Sequence, residues 1–380
     1  MYVLILGAGR MAYGLVHDFL NQPELKTLHL LDQSLEALQA IQTHFNDPRL
    51  QITRCMADDL ATLKPFFEKA DGAISAVPYD YNVALTQLAI ETGTHFVDLG
   101  GNNTVVEQQF ALSGQAKDKN IGIIPDCGLA PGMASVVAAR AVSELEKVES
   151  LKIRVGGLPV DPQGPLKYML LFSPHGLINE YIEPAVILKD GKITTVPSMT
   201  EVETLEFPAP FGTLEAFYTS GGTSTLPQTY AGKINTLNYK TIRYPGHCHI
   251  FKAMLDLGFA SAETIRCNGG NRTYRDVFEE MLIKPLTYKG DDVTLIRITA
   301  EGHRNGRRET VQYQCIDYFD HDSGLTAMMR TTAFPAAILL QLLIRGQIRD
   351  RGVLCQEISV PGALFMDELT KRRIIFERNQ

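Results

Sequence analysis

The stretch Met1–Leu15 reads MYVLILGAGRMAYGL. Its apolar run from Tyr2 to Leu6 does not alternate, which predicts a strand buried on both faces. Gly7-Ala8-Gly9-Arg10-Met11-Ala12 then predicts a tight turn, and Ala12 to Phe19 takes up helical spacing. Gly7 permits the sharp turn, Gly9 lets backbone approach phosphate oxygens with no Cβ in the way, and Ala12 is small enough for helix and strand to pack closely. The N–H groups at the helix start favour an anion, so Gly7, Gly9, Arg10 and Met11 are candidate cofactor-binding residues. A second apolar run, Leu28 to Leu31, ends at Asp32. An acid there can hydrogen-bond both hydroxyls of a ribose and would repel a 2′-phosphate, so NAD is expected over NADP.

The same pattern continues outward. A helix over Leu35 to Phe45, a strand near Leu50 to Cys55, a helix through Leu63 to Phe67 and a strand Gly72 to Val77 are predicted next, followed by strands His95 to Leu99 and Gly122 to Pro125. Six strands complete a Rossmann-type, doubly wound parallel sheet, an α/β fold with its ligand cleft over the carboxyl ends of the strands. Asp58 or Asp59, after the third strand, is placed to accept from an adenine amino group; the alternative for either is a helix N-cap. Ala76-Val77-Pro78, small residues with one fixed φ, suit a loop passing close to a cofactor ring. Asp98 and Asp126 stand at the ends of the last two strands.

From about Leu151 the texture changes. Strand-like runs at Leu151 to Val155, Thr236 to Tyr244, Val293 to Ala300 and Thr310 to Tyr318 are separated by long loops and helices. They predict a second α+β domain on a mixed, largely antiparallel sheet that covers the nucleotide. The last two runs, joined by Glu301 to Gly306, read as a hairpin whose far face offers a subunit interface. Phe334 to Ile344 is apolar nearly all round and must be buried. The expected division is 1–130, completed by 335–380, for the dinucleotide domain and 131–334 for substrate binding and oligomerisation.

The 380 residues are enough for about two domains, and the 45% hydrophobic content is that of a globular chain. A net charge of -7 without long runs argues against nucleic acid as a partner. The longest apolar run, Phe334 to Leu340, is shorter than a membrane span, and no basic leader precedes the first strand, so no membrane partner and a cytoplasmic location are expected. Six scattered cysteines, Cys55, Cys127, Cys248, Cys267, Cys315 and Cys355, form no C-x-x-C pair and are expected as reduced thiols. His247-Cys248-His249, on a predicted strand, would point to opposite faces and lacks a further ligand at recognisable spacing, so no metal is expected.

Ile123 to Met133 (IIPDCGLAPGM), Val155 to Pro159 (VGGLP), Phe172-Ser173, Lys189-Asp190-Gly191 and Tyr239 to Gly246 (YKTIRYPG) together resemble the saccharopine dehydrogenase superfamily. Leu214 to Leu226 (LEAFYTSGGTSTL) and the short overall length resemble its L-lysine 6-dehydrogenase branch most. The resemblance implies NAD-dependent oxidative deamination of a lysine ε-amino group in a homodimer or higher homo-oligomer, with a small amino acid as substrate. It also brings in saccharopine dehydrogenases or reductases and carboxynorspermidine dehydrogenases as alternatives. Family members that take saccharopine carry an arginine in the segment matching Ser220 to Thr225; here that segment is SGGTST, which implies a substrate with fewer carboxylates. By the same resemblance Tyr79, Thr241 and Arg243 contact substrate, and Asp126 and Leu129 lie beside the cofactor.

The chemistry sets its own demands. Hydride leaves a nitrogen-bearing carbon only when the nitrogen has a free lone pair, so a base of near-neutral pKa must first take a proton. A buried carboxylate serves if desolvation raises its pKa. Asp126 is the candidate base with Asp98 in reserve, Tyr79 a donor orienting the reacting nitrogen or a water, and Arg243 a fork for the α-carboxylate. His175 and His247 are left outside the mechanism. Two rivals remain: a semialdehyde dehydrogenase using Cys127 as thiolate nucleophile, and a catalytically silent NAD-binding subunit.

Overall fold

The computed structural model describes residues 1–267 and 270–379, without the side chain of Cys267, so the expected thiol state of Cys267 falls outside the described residues. The described chain divides into two compact units. The first holds Met1–Glu144, Ser224–Leu226 and Met329–Phe376; the second holds Leu145–Thr223, Pro227–Met328 and the segment from Glu377. The first unit therefore runs past the expected limit at 130 through the helix Ala134–Ser143, and its C-terminal portion stops before the short strand Glu377–Asn379.

The first unit is built on a parallel sheet. Its strands are β1 (Tyr2–Leu6), β2 (Thr27–Asp32), β3 (Leu50–Arg54), β4 (Gly72–Ser75), β5 (His95–Asp98) and β6 (Gly122–Ile124). They lie side by side in the order 3-2-1-4-5-6, with Gly352–Val353 added in parallel beside β6. Val3, Leu4 and Ile5 are fully buried, as a strand covered on both faces requires. Helix α1 (Arg10–Leu20) packs Ala12, Leu15, Val16 and Phe19 inward. The apolar segment near 334 is part of an 18-residue helix, Ala327–Ile344, that begins seven residues before its predicted start. By length and composition it is long enough to cross a membrane, yet 83% of it is buried inside the protein. Gly14 and Gly72 give it room: a Cβ built on either would sit 2.6 Å from Ala333 or Leu340.

The second unit carries a nine-stranded mixed sheet. Its central strand Lys147–Pro159 pairs in parallel with Thr236–Arg243 and antiparallel with Asp292–Arg304, which is equally long. The predicted hairpin is longer than its periodicity shows, because the ladder runs on to Arg304 opposite Arg307 and turns through Asn305-Gly306 alone. Both turn residues have positive φ (51° and 73°), the geometry that matches the twist of two antiparallel strands. His247-Cys248-His249 is a correction: it opens the helix His247–Asp256 and is not on a strand. Gly246, at φ 96°, turns the chain out of the strand at that point.

Candidate active site

In the first unit a cleft of about 270 Å³ opens over the ends of β1, β2, β3 and β4. Gly7, Gly9, Asp32, Asp58, Ala76, Val77 and Pro78 line it, together with Gln33, Met56, Ala57 and Tyr81, which sequence reasoning missed. Gly7 has φ 104°, and a Cβ there would lie 2.7 Å from the Ala76 carbonyl oxygen. A Cβ on Gly9 would meet nothing within 4 Å, so on the protein side that glycine is free to carry a side chain. Its bareness fits a cradle for a phosphate that comes close to backbone. No side chain caps the start of α1, which leaves its first turn to an anion.

Asp32 ties the glycine turn to β2. Its carboxylate accepts from the Ala8 and Ser34 main-chain N–H groups, both at 2.7 Å. Asp58 and Asp59 part company: Asp59 caps the helix Leu60–Phe67 by accepting from Thr62 N–H at 3.1 Å, and Asp58 is the acid that borders the cleft. Arg10, Met11 and Leu129 do not border it. Arg10 and Met11 belong to the first turn of α1, directly after the Gly9 that lines the cleft, and Leu129 is buried in the turn after β6.

Two carboxylates stand where β5 and β6 end. Asp98 is fully buried; it accepts from Gln109 Nε2 at 2.8 Å and from Asp126 N–H at 3.1 Å. Burial pushes its pKa up to about 6. Enclosed in this way it holds the β5 and β6 turns together, which suits it to position Asp126 better than to act as a reserve base. Asp126, 2% exposed and itself at φ 59°, accepts from Ser224 Oγ at 2.5 Å and from Gly101 N–H at 3.3 Å. Burial first, and then the neighbouring Asp98 charge, raise its pKa to about 7. Gly100 makes this possible, since a Cβ there would lie 1.8 Å from the Asp126 carboxylate. A Cβ on Gly101 would approach the Tyr79 ring to 3.0 Å, so Tyr79 lies against the turn that supports Asp126. Ser224 is the residue sequence reasoning missed here; only its place in the SGGTST segment marked it.

Cys127 is buried, donates its thiol to the Ile124 carbonyl at 3.1 Å, and has its pKa raised well above the usual thiol value by burial. A thiolate nucleophile needs the opposite environment. The Cys127 rival loses its support.

In the second unit, Arg243 and Thr241 lie on Thr236–Arg243, both buried. Arg243 donates Nε–H to the Tyr181 hydroxyl at 2.9 Å and an Nη1–H to the Ile242 carbonyl at 2.9 Å, and its guanidinium lies 4.7 Å from the Tyr168 ring centre. Thr241 Oγ1 pairs with Thr219 Oγ1 at 2.7 Å and donates to Tyr239 Oη at 3.3 Å. His247 supports the group from behind: its Nδ1 meets the Leu166 carbonyl at 2.8 Å, which fits Nδ1–H as donor and leaves Nε2 to accept from Tyr181 at 3.0 Å. Burial holds the ring neutral, lowering its pKa to about 3.

The profile of the saccharopine dehydrogenase NADP binding domain matches residues 3–124, and that of the saccharopine dehydrogenase C-terminal domain matches residues 128–375. The chain belongs to the saccharopine dehydrogenase family. As a member of that family it is an NAD(P)-dependent oxidoreductase of amino acid metabolism. It is similar to the saccharopine dehydrogenase [NADP(+), L-glutamate-forming] of Pyricularia oryzae, 23% identical over 97% of this chain and 96% of the relative. It is also similar to the carboxynorspermidine synthase of Vibrio cholerae, 24% identical over 94% of this chain and 92% of the relative. The apo saccharopine dehydrogenase (L-Glu forming) of Saccharomyces cerevisiae shares the fold at a TM-score of 0.83, with 19% identity over 100% of this chain and 99% of that one. These matches favour the saccharopine and carboxynorspermidine alternatives over the lysine 6-dehydrogenase branch of this family.

Proposed function

We propose that this member of the saccharopine dehydrogenase family is an NAD-preferring dehydrogenase of a secondary amine joined to an α-amino acid, of the carboxynorspermidine or saccharopine type. One observation carries the reading: Asp126, a buried carboxylate of near-neutral pKa, stands at a strand end on the ligand side of a dinucleotide sheet. The family relatives supply the carbon–nitrogen chemistry, and the SGGTST segment, with no arginine, favours the carboxynorspermidine type.

The nicotinamide, when bound, accepts hydride from the carbon that bears nitrogen. Along the sheet, Asp58 follows β3, Asp32 ends β2, the glycine turn follows β1 and Ala76-Val77-Pro78 follows β4, which gives a dinucleotide one continuous track toward β5 and β6. Asp126 takes the proton from the protonated amine and so frees its lone pair; Ser224 and Gly101 hold the carboxylate that results. Tyr79 orients the reacting nitrogen. Arg243, held by Tyr181, receives the substrate α-carboxylate, and Thr241 fixes the Tyr239 hydroxyl beside it.

NAD rests on charge. The cleft lining includes Asp32 and Asp58 and neither a lysine nor an arginine, so a 2′-phosphate would meet like charge there. Reduced nucleotide formation followed with carboxynorspermidine, saccharopine and lysine, each with NAD and with NADP, tests both parts. The expected order places carboxynorspermidine first, with NAD. Turnover of lysine alone overturns the substrate, and strict dependence on NADP overturns the cofactor.

A further inference from the structure

Glu180 lies on the helix Pro174–Ile182, one residue before the Tyr181 that holds Arg243. Its main-chain carbonyl accepts from Ser220 N–H at 2.9 Å, which joins the helix to the start of the SGGTST segment. Its carboxylate is partly buried and has no hydrogen-bond or ion-pair partner among the described residues. Resting on the function proposed above, we propose that Glu180 and Arg243 together read an amino-acid zwitterion, with the α-carboxylate on the guanidinium fork and the α-ammonium on the Glu180 carboxylate.

The argument starts from two opposite charges that are neighbours without being a pair. Glu180 directly precedes the Tyr181 whose hydroxyl accepts from Arg243 at 2.9 Å, yet no salt bridge joins Glu180 to Arg243 among the described residues. A structural pair closes on itself, because a charge withdrawn from water without a partner is costly. Arg243 also keeps donors in hand: of its five N–H groups, only Nε–H and one Nη1–H have hydrogen bonds among the described residues. A zwitterion supplies what both lack. Its two charged groups sit on one carbon, so it can meet an unpaired cation and an unpaired anion at one site.

The surroundings agree with an ammonium. Aromatic rings already lie by a cation here: the Tyr168 and Tyr181 ring centres are 4.7 Å and 5.8 Å from the Arg243 guanidinium. Burial raises the Glu180 carboxyl to about 7, with Arg243 opposing. An arriving ammonium adds a second opposing charge and draws the proton off.

The test uses L-lysine and 6-aminohexanoate, which differ only in the α-amino group, titrated calorimetrically into the NAD-loaded enzyme. Wild type should bind lysine more tightly. Glu180→Gln should weaken lysine by about tenfold to a hundredfold, the size of a lost charged hydrogen bond, and leave 6-aminohexanoate as it was. Arg243→Gln should weaken both ligands, because both carry the carboxylate. If Glu180→Gln weakens the two equally, or weakens neither, the proposal falls. Unchanged 6-aminohexanoate binding also shows that the variant is folded. Binding needs no turnover, so an enzyme that oxidises none of the three amines yet discriminates these ligands refutes the proposed reaction and keeps the zwitterion site.

Discussion

At the scale of single residues, the pair Asp98 and Asp126 sets what can be measured. Two carboxyls at about 6 and 7, both buried, divide their roles by hydrogen bonding: Asp98 is spent on Gln109 and on main chain, whereas Asp126 faces a serine. Asp126→Asn should lower kcat about a hundredfold or more while NAD binding, followed by fluorescence, persists. In wild type, kcat/KM for amine oxidation should rise with pH through about 7, since the base must be ionised. Stability should move the other way. The folded chain keeps the Asp126 proton up to about pH 7 and the unfolded chain releases it near 3.8, so between those values folding takes up a proton and stability falls as pH rises. Asp126→Asn should therefore raise the melting temperature relative to wild type more at pH 8 than at pH 5. Equal shifts at both pH values would mean that Asp126 titrates normally. Asp126 was legible because it ends an apolar run, and Asp32 for the same reason. Ser224 was not, because it lies 98 positions away and no local pattern reports contacts of that range.

Elements were legible where periodicity extends over several residues. The strands of the first sheet can be read from short apolar stretches at regular spacing, broken by single polar residues in β2 and β3. The strand Gly352–Val353 is too short for any period, and the polar end of the Asp292–Arg304 hairpin hides its alternation in charged residues. Gly14 is a third kind of miss, since a glycine inside a helix gives no hint of what it makes room for. Helix propensity alone would have Gly14→Ala stabilise α1 by about 1 kcal/mol. The structure predicts the reverse, because the new methyl would stand 2.6 Å from Ala333 Cβ and 3.0 Å from the Met329 carbonyl oxygen, and backbone does not yield cheaply. Overpacking of this kind costs about 1–3 kcal/mol. Thermal melts of Gly14→Ala should show a lower midpoint, and a raised one would mean that the helix Ala327–Ile344 shifts to accommodate it.

At the scale of the molecule, the chain reaches its first unit three times, and the last visit closes it. Arg372, 8% exposed at the side chain, ion-pairs with Asp18 on α1 and with Glu368, and donates to Gln341 Oε1 at 3.1 Å. Gln341 in turn donates to Asp18 at 2.7 Å. The network binds the C-terminal helix Gly362–Lys371 to the helix that begins the dinucleotide fold. Arg345–Glu24 ties the end of the helix Ala327–Ile344 to the loop after α1 at the surface, where screening and side-chain entropy leave an ion pair worth about 0–1 kcal/mol. Removing Arg372 is a different matter. Arg372→Met fills similar volume but leaves the buried Asp18 carboxylate without its cation, while Glu368 keeps Lys371, and breaking a buried pair from one side costs about 3–5 kcal/mol. The midpoint of unfolding should drop accordingly. Adding Asp18→Asn should then recover part of the loss, because the carboxylate left unpaired is gone, while Asp18→Asn alone should destabilise. If the double variant were as unstable as the sum of the two singles, Asp18 and Arg372 would be acting independently, and the C-terminal helix would be held by its apolar face, Phe365 and Leu369, instead of by charge.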